Sequence, residues 1–178
     1  MIEGEGMEID NNALKELIQN NYRGTVNKKL VNQNQVDSQS DLLSLSYLSD
    51  CAQQTIKRSE EMGLAVTVSV VDMAGNLVFC YRMKNAILAS IKLSQKKAYS
   101  AIAMNQDTAS LAELCQPGAD LYQLETVTGG NVVSFGGGLL LKNASHCWGG
   151  LGISGAPKSQ QDVQLGEYFK QVFFGGIV

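Results

Sequence analysis

The chain has 178 residues, 44% apolar and 17% charged, with a net charge of −3 at pH 7, a balance that suits one soluble globular domain with a core of its own. An isoelectric point near 5.1 and the lack of a basic stripe exclude a nucleic-acid binder, which must neutralise phosphates. No apolar run is long enough to span a membrane and no secretory apolar segment opens the chain, so the expected setting is the cytoplasm and no membrane partner is expected. The four cysteines, Cys51, Cys80, Cys115 and Cys147, are widely spaced with no C-x-x-C pair. They are expected to be reduced, buried thiols, without a structural zinc.

Taken in order, residues 1–24 carry Ile9, Leu14, Leu17 and Ile18 at helical spacing, with polar residues around the rest of the wheel and Gly24 as a stop. Residues 25–40 are polar and rich in Asn, Gln and Ser, the composition of a linker. The body is expected over 41–178. It opens with a long helix whose face is Leu42, Leu45, Leu48, Ala52, Thr55 and Ile56, ending near Gly63. Val66–Val71 and Leu77–Arg82 read as strands joined by the turn Asp72–Asn76, with Leu77, Phe79 and Tyr81 on one face. From Ser90 to Met104 the period becomes helical, and Ile91, Ala98 and Ile102 are expected to be buried against the hairpin.

A short helix over 109–115, capped by Asp107 or Thr108, is broken by Gln116-Pro117-Gly118, and 118–131 reads as irregular. Two strands follow, Leu139–Lys142 and His146–Ile153, joined by Asn143-Ala144-Ser145. Glycines in the second strand point to close approach of another backbone or a ligand. The last helix starts at Ser159 and turns Leu165, Tyr168, Phe169, Val172 and Phe173 inward. This order is that of an α+β fold, an antiparallel sheet with helices packed on it.

Few residues stand out for chemistry. His146 is the lone histidine; strand alternation puts it on the face of Trp148, and Cys147 with Leu151 and Ile153. It reads either as a surface or interface histidine or as an axial haem ligand. Gly150, Gly152 and Gly155 have dinucleotide-fingerprint spacing, but Ala156-Pro157 follows and no parallel crossover unit surrounds them. The backbone N–H groups of Ser154, Gly155 and Ala156, with the helix start near Ser159, are instead suited to an anionic group such as a propionate. Asp162 reads as a helix-start carboxylate or as a functional acid with an unidentified partner. Lys97, beside Lys96, reads as a lysine on a solvated face or as a site residue.

Asp72, Gly75, Arg82-Met83, Ser90, Ser94, Lys97-Ala98-Tyr99-Ser100-Ala101, Gly136-Gly137-Gly138, Gly149–Gly155 and Asp162 occur in an order that resembles the GlcG/HbpS family. That family includes the C-terminal domain of the PduO cobalamin adenosyltransferases. The resemblance covers about residues 41–174, with departures at Lys84-Asn85, where Asp-Gly is usual, and at Leu139, where Pro is frequent. It implies a profilin-like three-layer domain, haem or a related tetrapyrrole as cofactor, and a homo-oligomer, an octamer being one form. The cofactor-binding positions then are His146, Lys97, Ser154, Gly155 and Arg82, with His146 as the metal ligand; Cys80, Tyr81, Met83 and Tyr99 are other possible axial donors. The adenosyltransferase half of PduO has no counterpart in the sequence, so its activity does not transfer.

The N-terminal helix and polar stretch resemble an encapsulation peptide, which implies shell proteins as partners and a place inside a bacterial microcompartment. The alternative is a helix folded back on its own body or on an oligomer neighbour. The leading expectation is thus a non-catalytic haem-binding module carried as microcompartment cargo. Set against it are an enzyme or redox accessory protein acting on a small metabolite or cofactor, and a structural homo-oligomer without ligand.

Overall fold

The computed structural model describes residues 40–175; the expected docking helix (1–24) and most of the linker (25–40) lie outside them. After a 3-10 turn at Ser40–Leu43 the order is α1 (Leu45–Glu61), β1 (Thr67–Asp72), β2 (Leu77–Arg82), α2 (Ala89–Ala103), α3 (Thr108–Leu114), α4 (Leu124–Val127), β3 (Gly138–Lys142), β4 (Cys147–Ser154) and α5 (Ser159–Gly175). The four strands form one antiparallel sheet in the order β2-β1-β4-β3. α1 and α5 pack on one face and α2 on the other, which is the expected α+β arrangement in three layers. The short helix α4 lies within the stretch expected to be irregular.

The two faces of the sheet are built differently. Towards α1 and α5, Val68, Val70, Leu141, Leu151 and Ile153 meet Leu48, Ala52, Leu165, Phe169 and Phe173 in one apolar cluster. Burial of such side chains contributes about 1.5–3 kcal/mol each before entropy is counted. Leu45 does not join them: it is 74% exposed, because Ser44 caps the helix by accepting the Tyr47 N–H and leaves Leu45 in the open first turn.

Towards α2, strands β1 and β4 present the small residues Ser69, Gly150 and Gly152, and the helix meets them with small residues of its own. Its buried positions are Ser90, Ser94, Lys97, Ala98, Ser100 and Ala101, whereas Ile91 and Ile102 are only half-buried. The expectation that the isoleucines would lead this contact is therefore corrected. Gly152 lies so close under the helix that a Cβ there would overlap the Ser94 carbonyl and stand 2.7 Å from the Ala98 nitrogen. Hydroxyl pairs bind the layers at this distance, Ser69 with Ser94 at 2.8 Å and Thr67 with Ser90 at 2.6 Å.

Two irregularities revise the strand faces. The register shifts between Val70 and Val71, so Phe79 packs on the α1 side while Leu77 lies with Gln95 and Tyr99 on the α2 side. It shifts again between Leu141 and Lys142; Trp148 thereby joins Leu151 and Ile153 in the core, where strict alternation had separated them. His146 falls in the Asn143–His146 turn rather than in β4. All four cysteines are free, but only Cys51 is buried; Cys80 is exposed, and Cys115 and Cys147 are half-buried.

Candidate functional site

The five expected cofactor positions fall in two places, at opposite ends of β4. Arg82, Thr67 and Ser154 form one row across β2, β1 and β4. Arg82 is exposed and donates to the Ala86 carbonyl ahead of α2. Ser154 is buried, and Gly155 turns the chain out of the sheet at φ +138° under the Ala65 carbonyl.

Lys97 sits at the same end and is not on a solvated face. It is 1% exposed, with Nζ 2.8 Å from Asp162 Oδ2 and 3.0 Å from the Ile153 carbonyl, and it lies 4.9 Å over the Phe135 ring. α2 and α5 are on opposite faces of the sheet, so this side chain joins the two outer layers past the end of β3. Gly137 makes the passage: a Cβ there would stand 2.9 Å from Lys97 Nζ and 2.9 Å from Asp162 Cβ. Burial pushes the Lys97 ammonium below the usual lysine range and the Asp162 carboxyl above the usual carboxylate range, with their mutual attraction opposing both.

Asp162 is thus neither a simple helix-start carboxylate nor an acid without a partner. Its other oxygen accepts the Ala156 N–H at 3.1 Å, so the turn expected to receive a propionate already has a carboxylate from its own chain. The Lys97–Asp162 pair is the feature that sequence reasoning missed. The signal was Lys97 at helical spacing with Ser90, Ser94 and Ala101, on a face of small residues where a long side chain must find an exit.

His146 lies at the far end of β4, separated from Ser154 by the eight-residue strand, roughly 25 Å of chain. Its imidazole is exposed and edge-on to Trp148, with ring centroids 4.6 Å apart. Trp148 in turn contacts Phe173 and Phe174 at 6.1 and 5.6 Å. The indole is 6% exposed, and its Nε1–H is the one buried side-chain polar atom without a hydrogen-bond partner among the described residues. Buried donors are seldom left this way. The exposed imidazole is a nitrogen donor open to a metal-bearing ligand, with aromatic rings behind it. Among the described residues no three His, Cys, Asp or Glu side chains cluster as metal ligands.

Residues 43–168 match the family described as haem degrading protein HbpS-like. The chain belongs to that family. Its HbpS-like body is 41% identical over 125 residues to the corrinoid adenosyltransferase PduO of Citrobacter freundii, a match covering 70% of this chain and 37% of that protein. It is 34% identical over 118 residues to an uncharacterised 15.0 kDa protein of the dhaT–dhaS intergenic region of the same organism, covering 66% of this chain and 83% of the relative. Among solved structures, the crystal structure of the PduOC:heme complex superposes with a TM-score of 0.69 at 37% identity, covering 72% of this chain and 93% of that one. The chain therefore spans little more than a third of the PduO length. No helix of the described residues is long and apolar enough to cross a membrane.

Proposed function

We propose that this chain is a non-catalytic haem-binding module, acting as a homo-oligomer, with His146 as the iron ligand. The observation that carries the reading is the exposed imidazole set against the Trp148–Phe174 wall, in a body 37% identical to a protein solved with haem. Haem bound there would supply an iron centre open to axial ligands. The protein's part is to present the imidazole, held edge-on against Trp148. Lys97, Ser154 and Gly155 serve the architecture at the other end of the sheet, and Arg82 stands with them. Titration of the purified chain with haemin should give a sharp Soret band that His146→Ala shifts or weakens. The absence of a Soret change in the wild type would remove haem from the account, and an unchanged band in the variant would move the ligand elsewhere.

Residues 1–24 support a second part of the proposal, that the module is microcompartment cargo. Ile9, Leu14, Leu17 and Ile18 form a short apolar stripe followed by a polar stretch. Burying them on a shell protein contributes about 1.5–3 kcal/mol each before ordering costs, enough for a weak contact. A fusion of residues 1–24 to a fluorescent protein should collect in compartments; a diffuse signal while shells form normally would sink this part alone.

A further inference from the structure

The sheet has two edges, and they are treated differently. At the β3 edge the outward backbone groups are closed by α3: the Gly138 N–H donates to Thr108 Oγ1 at 2.9 Å and the Leu140 N–H to Asp107 Oδ1 at 2.8 Å. No comparable cap covers β2 among the described residues. Met83 N–H donates to the Val66 carbonyl, and antiparallel pairing then turns the N–H and C=O of Phe79 and Tyr81 towards β1 and those of Cys80 and Arg82 outward. The strand carries no proline and no charge before Arg82, the devices that usually protect an open edge. Its side chains are exposed as well, Leu77 at 49%, Val78 at 40% and Tyr81 at 48%.

We propose that β2 is an interface, and that its occupant is β2 of a second copy of this chain, paired antiparallel about a two-fold axis. The proposal rests on the homo-oligomer reading above and specifies its contact. Outward groups must meet outward groups, so the axis passes at Phe79, Cys80 or Tyr81. Axes at Phe79 and Cys80 engage residues 77–81 and 78–82, whereas one at Tyr81 engages only 80–82 within the strand; the Cys80 pairing is the one assigned, because it keeps the irregular Val78 step at the end of the ladder. It sets Phe79 against the partner's Tyr81, and Tyr81 against the partner's Phe79, an aromatic cross-strand pair formed twice. Beside β2, α1 offers Ile56 together with Lys57 and Glu60, charges of opposite sign one turn apart that suit a self-facing surface. The product is a continuous eight-stranded sheet with both open edges removed and the capped β3 strands outermost.

This register brings the two Cys80 Cα atoms to about 5.5 Å, within the span of a short bis-maleimide. Cys80 is the exposed thiol of the four, while burial pushes the Cys51 thiol up to about 11 and takes it out of competition. Treating the full chain with bis-maleimidoethane at neutral pH should give a covalent dimer that Cys80→Ser abolishes without changing the mass seen by light scattering. Val78→Lys, which places like charges across from the partner's Arg82, should raise the dimer dissociation constant at least tenfold while circular dichroism stays that of the wild type. An oligomer that does not cross-link through Cys80, or that tolerates Val78→Lys, overturns the β2 interface and leaves the homo-oligomer standing. A monomer at micromolar concentration overturns both.

Discussion

Gly152→Ala should destabilise the protein by about 3 kcal/mol or more. The added Cβ would overlap the Ser94 carbonyl and stand 2.7 Å from the Ala98 nitrogen. These are backbone atoms of a regular helix, so no rotamer change relieves the clash. α2 must lift from the sheet, which stretches the Ser69–Ser94 and Thr67–Ser90 bonds, each contributing about 1 kcal/mol net, on top of about 1–3 kcal/mol for overpacking. Gly63→Ala is the control. Gly63 has φ +66° with nothing within 4 Å of the added Cβ, so its cost should be the left-handed penalty of about 1–2 kcal/mol. Urea melts of the two variants check the difference. A Gly152→Ala loss under about 1 kcal/mol would show that α2 can slide on the sheet.

Removing either member of the Lys97–Asp162 pair should cost about 3–5 kcal/mol, and removing both should cost much less. Lys97→Met leaves a buried carboxylate with the Ala156 N–H as its remaining hydrogen-bond donor. Asp162→Asn leaves a buried ammonium facing the Ile153 carbonyl and the Phe135 ring. Lys97→Met with Asp162→Leu replaces the pair by apolar groups, and its melt should lie closer to the wild type than either single variant. The pH dependence of Lys97→Met has a definite sign. Burial already raises the Asp162 carboxyl, and without the ammonium it rises further. The folded state then keeps a proton that the unfolded chain loses near pH 4, so stability falls as pH rises through that range and the deficit shrinks in acid. A double variant as unstable as the singles, or a deficit independent of pH, would show that the side chains act by packing alone.

How much of this could be read in the sequence depends on the size of the side chains involved. Phe169 and Phe173 were legible, because large apolar residues at helical spacing mark the face a helix turns into a core. The glycines of β4 were legible as a close approach, but not the helix that makes it. α2 meets the sheet through Ser94, Ala98 and Ala101, residues that hydrophobic periodicity does not register, and Ile91 and Ile102 drew attention away from them. Trp148 sits on the face opposite to the one alternation gives, because alternation assumes an unbroken period and a one-residue register shift leaves no mark in composition. Lys97 and Asp162 are 65 positions apart; each was visible alone, but their pairing is a property of the fold. The family resemblance supplied the architecture and gathered Lys97, Ser154, Gly155, Arg82 and His146 into one list, which the fold divides between two ends of a strand.

The position of Trp148 also makes the molecule optically self-reporting. The chain has one tryptophan, so fluorescence excited on the red edge of the aromatic band, beyond tyrosine absorption, comes from a single site, packed on the imidazole of His146 and shielded from water. An indole whose N–H is unbonded emits differently once that proton is engaged, and a porphyrin within a few ångströms would drain its excited state by energy transfer. Events at His146 can therefore be followed in the native chain without an introduced dye.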